Sequence, residues 1–393
     1  MVHYPAMNSP RVYFDYSATT PLDPEVLEAM APFWTQTFGN ASSVHAYGRA
    51  ARQALDEGRE AIARAIGASF DEIFFTGGGT EADNHALRGV MRTVIKAGKL
   101  HLITCATEHH AVLHVAERLR QDGIETTILG VDERGLVEVS QIEKSIRPAT
   151  ALVSIMHANN ETGVLQQINE IGRIAREHEV LFHSDVVQSF GKIPIDVKSI
   201  PVDLLSLSAH KIYGPKGIGA IFIRKGTKIE PLLVGGAQES NRRAGTESVP
   251  LAVGFAKAVE LSLAAMESES ARLAQLKSQL KSKLREGVSG LLFNGDGVPA
   301  LANILNVSFN SRVRPVDGEA LIMGMDLCGV AVTSGSACTS GSLQPSHVLL
   351  AMGRDEATAR ATIRFSMGRF TTEEEIEVAV KAVERVLQTA AMR

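Results

Sequence analysis

Between Asp71 and Asp196 the chain repeats one plan: a short apolar run, a turn of small or polar residues, then a helical stretch. No other feature narrows the fold as much. Apolar runs cover 72–76, a segment ending near Cys105, 151–164 ending in Asn159-Asn160-Glu161, and 180–185 ending at Asp185. Runs of this length, alternating with helices, build βαβ units, and hence an α/β protein with a mixed, mostly parallel sheet between helices. In such sheets ligands lie outside the carboxyl ends of the strands, so the residues just after each run are the candidates for a site.

Those turns carry chemistry. In FTGGGTEADN a strand enters a triple-glycine turn and a helix starting near Thr80. Gly79 lets the backbone approach an anion, the helix N-terminus attracts it, and the Thr80 hydroxyl adds a donor. The pattern lacks the Gly-Lys-Ser/Thr of a P-loop and the spacing of a dinucleotide site, and taken alone it reads equally as a plain strand-to-helix turn. His109 follows the run ending near Cys105. Asn160, Asp185 and Gln188 follow the next two. Asp185 is either a helix N-cap or a buried carboxylate in need of a cation.

SLSAHKIYGPKGIG (206–219) places Lys211 between the apolar runs 202–207 and 217–225. A lysine held there beside Ser208 and His210 loses hydration, which favours its neutral, nucleophilic amine. Alone it reads as a solvated loop lysine. Its position on the same rim as Asp185 and the glycine turn makes it a candidate for Schiff-base chemistry.

At 393 residues the chain exceeds the roughly 250–300 that one core usually spans. The pattern changes near Leu251, where a long helix with a charged face (252–287) is followed by NILNVSF, GEALIMGMDLCGVAV, ATIRFSMG and a final helix. The expected division is a large unit, 11–250, and a smaller α/β unit, 251–393, with a contribution from the N-terminal segment. The loop 232–250, dense in Gly and Arg, is placed to cover an anionic site or reach a neighbouring subunit. TSGSACTSGS (333–342) presents Cys338 on a small-residue loop, whereas Cys105 and Cys328 sit in apolar patterns and read as core. Three scattered cysteines make no disulfide framework or metal cluster and suit a reducing, cytoplasmic setting. A formal charge of −4 gives no footprint for nucleic acid. No apolar run approaches a membrane span, and the N-terminus has no signal-peptide pattern.

SLSAHKIYGPKG, TSGSACTSGSLQPSHV, FTGGGTEADN, TEHHAV, NNETG, DVVQS, RRAGTE and TIRFSMGR together resemble the motifs of the cysteine desulfurases of the NifS/IscS type, pyridoxal-phosphate enzymes of fold type I in the class V aminotransferase group. The long cysteine loop points to the long-loop subgroup. The resemblance implies that pyridoxal 5′-phosphate is bound through Lys211, with Asp185 on its pyridinium nitrogen and His109 stacked on its ring as a proton shuttle. It implies a phosphate site from Gly79, Thr80, Ser208 and His210, joined by Thr246 of the other subunit in a homodimer. Asn160 and Gln188 would bond the O3′ side, with Asn160 also near the substrate. Arg364 would hold the carboxylate of L-cysteine, and Cys338 would take its sulfur as a persulfide for an acceptor such as an iron–sulfur scaffold. No resident metal is implied, only a transient iron–sulfur contact through Cys338. The housekeeping members continue beyond VERVLQTAAMR with a tail that engages the scaffold, which leaves the acceptor open. An aminotransferase, a kynureninase-like hydrolase or a selenocysteine lyase would share Lys211 and Asp185, although the first two have no use for a loop thiol. A non-catalytic sulfur-relay protein is the reading from a different class.

Overall fold

The structure, a computed structural model, describes residues 11–95, 98–335 and 344–391, and Cys338 lies outside them. In chain order the strands are β1 (Val12–Tyr13), β2 (Ile73–Thr76), β3 (His101–Cys105), β4 (Glu125–Leu129), β5 (Thr150–Ser154) and β6 (Leu181–Asp185). They continue as β7 (Leu204–Ser208), β8 (Gly219–Ile223), β9 (Leu291–Asn294), β10 (Ile304–Phe309), β11 (Val330–Ala331) and β12 (Thr362–Ser366). Seven of them form the central sheet in the order β2-β8-β7-β6-β5-β3-β4. Only β8 runs against its neighbours, so β2, β3, β5, β6 and β7 all end on one rim.

The period-two pattern of the strands sorts side chains onto two buried faces. Ile103, Val153, Leu205, Leu207 and Phe222 face one core, which also takes Ala51, Leu55, Ile62 and Ile66 from the helix Ala46–Ala65 and its end. Phe74, Leu102, Leu152, Leu204 and Ile221 face the other, beneath Ala82, Ala86 and Val90 of the helix Gly79–Val94 and Val112 and Val115 of His110–Gln121. Burial of this kind contributes roughly 25 cal/mol per Å² of apolar surface, which holds the strand ends, and so the rim, in fixed positions.

A third core is built on the antiparallel sheet β9-β10-β12, with Leu305, Val307, Phe309, Ile363 and Phe365 packed against the helices Gly318–Leu327 and Glu373–Ala391. Val12 and Phe14 of the N-terminal segment are buried in it. The helix Val249–Gly287 belongs to two cores: Ala252, Phe255 and Ala258 pack with the central sheet, and Leu273, Leu276, Leu280 and Leu284 with the smaller one. By length and composition this helix passes as a membrane span, contrary to the sequence reading, yet Phe255, Val259, Leu273, Leu276, Leu280 and Leu284 are buried in one or other of these interiors.

Two local expectations change. β5 stops at Ser154 rather than running to Glu161, because the Asn159 side chain accepts the N–H groups of Glu161 and Thr162 and closes a turn. Cys328, at the C-cap of Gly318–Leu327, packs against the smaller core but is only partly buried. The loop 232–250 contains Glu239, Ser240 and Asn241 at φ of 48°, 54° and 63°. It is pinned there by the buried Glu239 carboxylate, which Arg59 grips at 2.6 and 2.7 Å.

Candidate active site

Outside the carboxyl ends of these strands lies a cavity of about 380 Å³. Gly79, Thr80, His109, Asn160, Asp185, Gln188, Ser208, His210, Lys211 and Arg364 all line it. Thr246 does not line this chain's own cavity, and Cys338 falls outside the described residues.

The glycine turn leads straight into the helix Gly79–Val94, whose N-terminus carries no side-chain cap. Its first-turn N–H groups therefore favour an anion. A Cβ on Gly79 would lie 2.7 Å from Val187 Cγ2, so only glycine lets this turn sit against the loop after β6. Beside it the Ser208 hydroxyl is buried without a hydrogen-bond partner among the described residues, as is that of Ser17 nearby. Buried unpaired hydroxyls cost about 1–3 kcal/mol, and at a cavity wall they mark places where a polar ligand completes the bonding. His210 turns its Nδ1 to the Thr19 hydroxyl at 3.1 Å and is neutral, its pKa lowered to about 4 by burial and then by Lys211.

Lys211 follows β7 in a single 3-10 turn, Ala209–Lys211. Its ammonium donates to the carbonyls of Ser17 and Ala18 at 2.6 and 2.7 Å. Burial, followed by the positive charge of Arg364, brings its pKa down to about 8, against the opposing pull of Asp185 and Asp15. The amine is thus far easier to deprotonate than a surface lysine. Asp185 ends β6 and accepts the Val187 N–H at 2.8 Å. Its carboxyl is pushed up to about 6 by burial, with the Val187 N–H and Lys211 working the other way. A cation placed against it would keep it ionised.

His109 caps the helix His110–Gln121, its Nδ1 accepting the Ala111 N–H at 3.1 Å, so the neutral ring carries its proton on Nε2. Burial, then Lys211, lowers its pKa to about 4. Gln188 donates to the Ser17 carbonyl at 2.9 Å. Arg364, on β12 of the smaller sheet, reaches the cavity with only 5% of its side chain exposed; it donates to the Asn160 carbonyl at 2.9 Å and pairs with Asp15 at 2.7 Å.

Several residues here were missed by the sequence reading. Asp15, Ser17 and Ala18 come from the Ser/Thr-rich turn after β1, a cluster of the same small polar kind as the other rim turns. Asp83 lies one turn into the helix Gly79–Val94; it is buried, its Oδ1 sits 3.6 Å from His183 Nε2, and its carboxyl is held well above the usual range by burial and by Asp185. Lys192, outside this cavity, donates to the Gln188 carbonyl at 2.9 Å and has its pKa lowered to about 7 by burial. Arg243, on the loop 232–250, pairs with Glu81 of its own chain at 2.9 Å. Cys105 is a poor nucleophile: it is fully buried, its thiol is raised well above its usual value by burial and then by Glu108, and it bonds to that carboxyl at 3.2 Å.

The donor set fits pyridoxal 5′-phosphate. An uncapped helix end with unpaired hydroxyls suits the phosphate, a buried carboxylate suits a pyridinium nitrogen, and a low-pKa amine suits the aldehyde carbon.

The profile described as Aminotransferase class-V matches residues 12–378. The cysteine desulfurase IscS of Dictyoglomus turgidum is 48% identical over 377 residues, covering 96% of this chain and 94% of that one. A solved NifS-like protein superposes with a TM-score of 0.89 at 38% identity, over 96% of this chain and all of that one. A structure described as SspA in complex with cysteine gives a TM-score of 0.81 at 38% identity, over 92% and 100% of the two chains. The chain belongs to the class V aminotransferase family, on the branch of the NifS/IscS-type cysteine desulfurases.

Proposed function

We propose that this chain is a pyridoxal-phosphate-dependent cysteine desulfurase that turns L-cysteine into L-alanine and leaves the sulfur on Cys338 as a persulfide. The observation that carries the reading is the convergence of a low-pKa Lys211 amine, the buried Asp185 carboxylate and an uncapped helix N-terminus on one cavity. The relative described in complex with cysteine supports the substrate.

Bound here, pyridoxal phosphate supplies an electron sink for the carbon skeleton of the amino acid. Gly79, Thr80, Ser208 and His210 would hold its phosphate, and Lys211 would hold its aldehyde carbon. Asp185 would keep the ring nitrogen protonated, Asn160 and Gln188 would bond the O3′ side, and Arg364 would bind the carboxylate of the substrate. His109, neutral with its proton on Nε2, would give and take protons beside the cofactor. Cys338, as a thiolate, attacks the sulfur of the substrate. A sulfur–sulfur bond forms, the carbon–sulfur bond breaks, and its electron pair stays with the three-carbon skeleton, which is protonated and leaves as L-alanine. Cysteine is the only sulfur source needed, and an acceptor protein such as an iron–sulfur scaffold then takes the terminal sulfur.

The purified protein is expected to convert L-cysteine to equal amounts of L-alanine and, with a thiol reductant, sulfide. Cys338→Ala should retain the cofactor and its visible absorption yet lose sulfide formation. A Cys338→Ala protein that still released sulfide at the native rate, or that transaminated L-alanine with a keto acid, would transfer the reading to another class V chemistry.

The site is also shared between two copies. Thr246 is exposed and away from its own cavity, on the loop that Glu239 pins. Phe38, Val44 and Tyr47 are 65%, 89% and 57% exposed, and Val234 on the same loop as Thr246 is 87% exposed. Apolar side chains exposed to this extent suit a partner surface. Sedimentation at low micromolar concentration should give a dimer; an active, cofactor-loaded monomer would contradict the shared site. The separate cores support a cofactor unit over 11–250 and a smaller unit over 251–393, joined through the helix Val249–Gly287.

A further inference from the structure

Arg364 is a buried cation that faces the cavity from the smaller sheet, and its guanidinium is largely committed within the protein. One terminal nitrogen donates to the Asn160 carbonyl at 2.9 Å and the other to Asp15 Oδ1 at 2.7 Å. Its Nε is enclosed and has no hydrogen-bond partner among the described residues. A carboxylate that arrives through the cavity cannot use the enclosed Nε edge. It has to meet the terminal nitrogens, where Asp15 already sits.

Resting on the reading of Arg364 as the clamp for the substrate carboxylate, we infer that Asp15 is a resident competitor for that clamp and sets how tightly α-carboxylates bind. Asp15 also lines the cavity, and its side chain is 23% exposed against 5% for Arg364, so it sits at the open side of the pair. Two carboxylates around one guanidinium repel each other, and the low-dielectric wall of the cavity strengthens that repulsion. Asp15 therefore acts through Arg364 as a positioning residue. Before substrate arrives it neutralises and orients a guanidinium that would otherwise be buried unpaired. When substrate is bound it limits the affinity, and it opposes amino acids that bring a second negative charge.

The anchoring of the segment does not depend on this side chain. The Asp15 carbonyl receives the N–H groups of Ala18 and Thr19 and the Tyr13 hydroxyl, all through the main chain. Asp15→Asn keeps an oxygen for Arg364 and removes the charge.

The test is the affinity of the holoenzyme for L-alanine, which carries the α-carboxylate without the thiol, measured by calorimetric titration with L-alaninamide in parallel. Asp15→Asn is expected to bind L-alanine roughly tenfold more tightly, from relief of the carboxylate repulsion, with L-alaninamide unchanged. Asp15→Ser provides the same charge removal if the asparagine protein folds poorly. A purely structural role for Asp15 predicts the opposite sign, weaker binding of both ligands, and that result, or unchanged affinity, overturns the inference. Arg364→Ala keeps the two failures apart. If it binds L-alanine as well as the native protein does, the clamp reading itself falls; if it loses L-alanine while Asp15→Asn shows no gain, only the inference falls.

Discussion

Lys211→Ala is expected to lower desulfurase turnover by on the order of 10⁴-fold or more, the scale seen when a covalent catalytic group is removed. The Lys211 amine emerges directly from β7 and is steered into the cavity by the Ser17 and Ala18 carbonyls. With its pKa near 8, a useful fraction is neutral at physiological pH without help from another base. Two other lysines are rivals for the cofactor. Lys216 is exposed, five residues along on the outer part of the turn. Lys192 is the closer rival chemically, half-buried and with a pKa lowered to about 7, but its amine is bonded to Gln188 and it does not line the cavity. Borohydride reduction followed by peptide mapping should place the cofactor on Lys211. A cofactor fixed to Lys192 or Lys216 would remove this assignment.

Asp185→Asn is expected to lower kcat by roughly 10³-fold, about 4 kcal/mol of transition-state stabilisation, while the folded protein keeps its melting temperature within a few degrees. The asparagine oxygen still accepts the Val187 N–H, so the turn after β6 is preserved. What is lost is the negative charge that opposes a pyridinium nitrogen. Burial pushes this carboxyl up to about 6 against the opposing pull of the Val187 N–H and Lys211, and a pyridinium cation apposed to it would hold it ionised throughout the neutral range. Steady-state kinetics with cofactor content measured alongside separates a loss of chemistry from a loss of binding. A variant within threefold of native kcat would show that the charge at residue 185 is not used.

Much of this site was legible because the chain order and the rim coincide. The runs that become β2, β3, β6 and β7 end at the cavity, so Gly79, His109, Asp185 and Lys211 could be picked from strand ends in the sequence. The residues that escaped notice reach the cavity by tertiary routes. Asp15 and Ser17 arrive from the other end of the chain, and nothing in YFDYSATT says that its turn docks under Lys211. Asp83 reads as an ordinary helical polar residue until the helix is laid over the sheet. Asn160 was found at the right place by a wrong route, since the Asn159 turn, not a longer strand, delivers it. The division of the long helix between two cores was also hidden, because its charged face is continuous while its buried face changes partner.

The central claim is that sulfur leaves cysteine and is carried by this chain on Cys338. Mass spectrometry of the holoenzyme after a single turnover with L-cysteine, without reductant, tests it most directly. The account predicts one added sulfur atom on the peptide that contains Cys338, appearing together with one L-alanine. One added sulfur on the peptide of Cys105 or Cys328, or L-alanine formed with no sulfur on any cysteine, would contradict it.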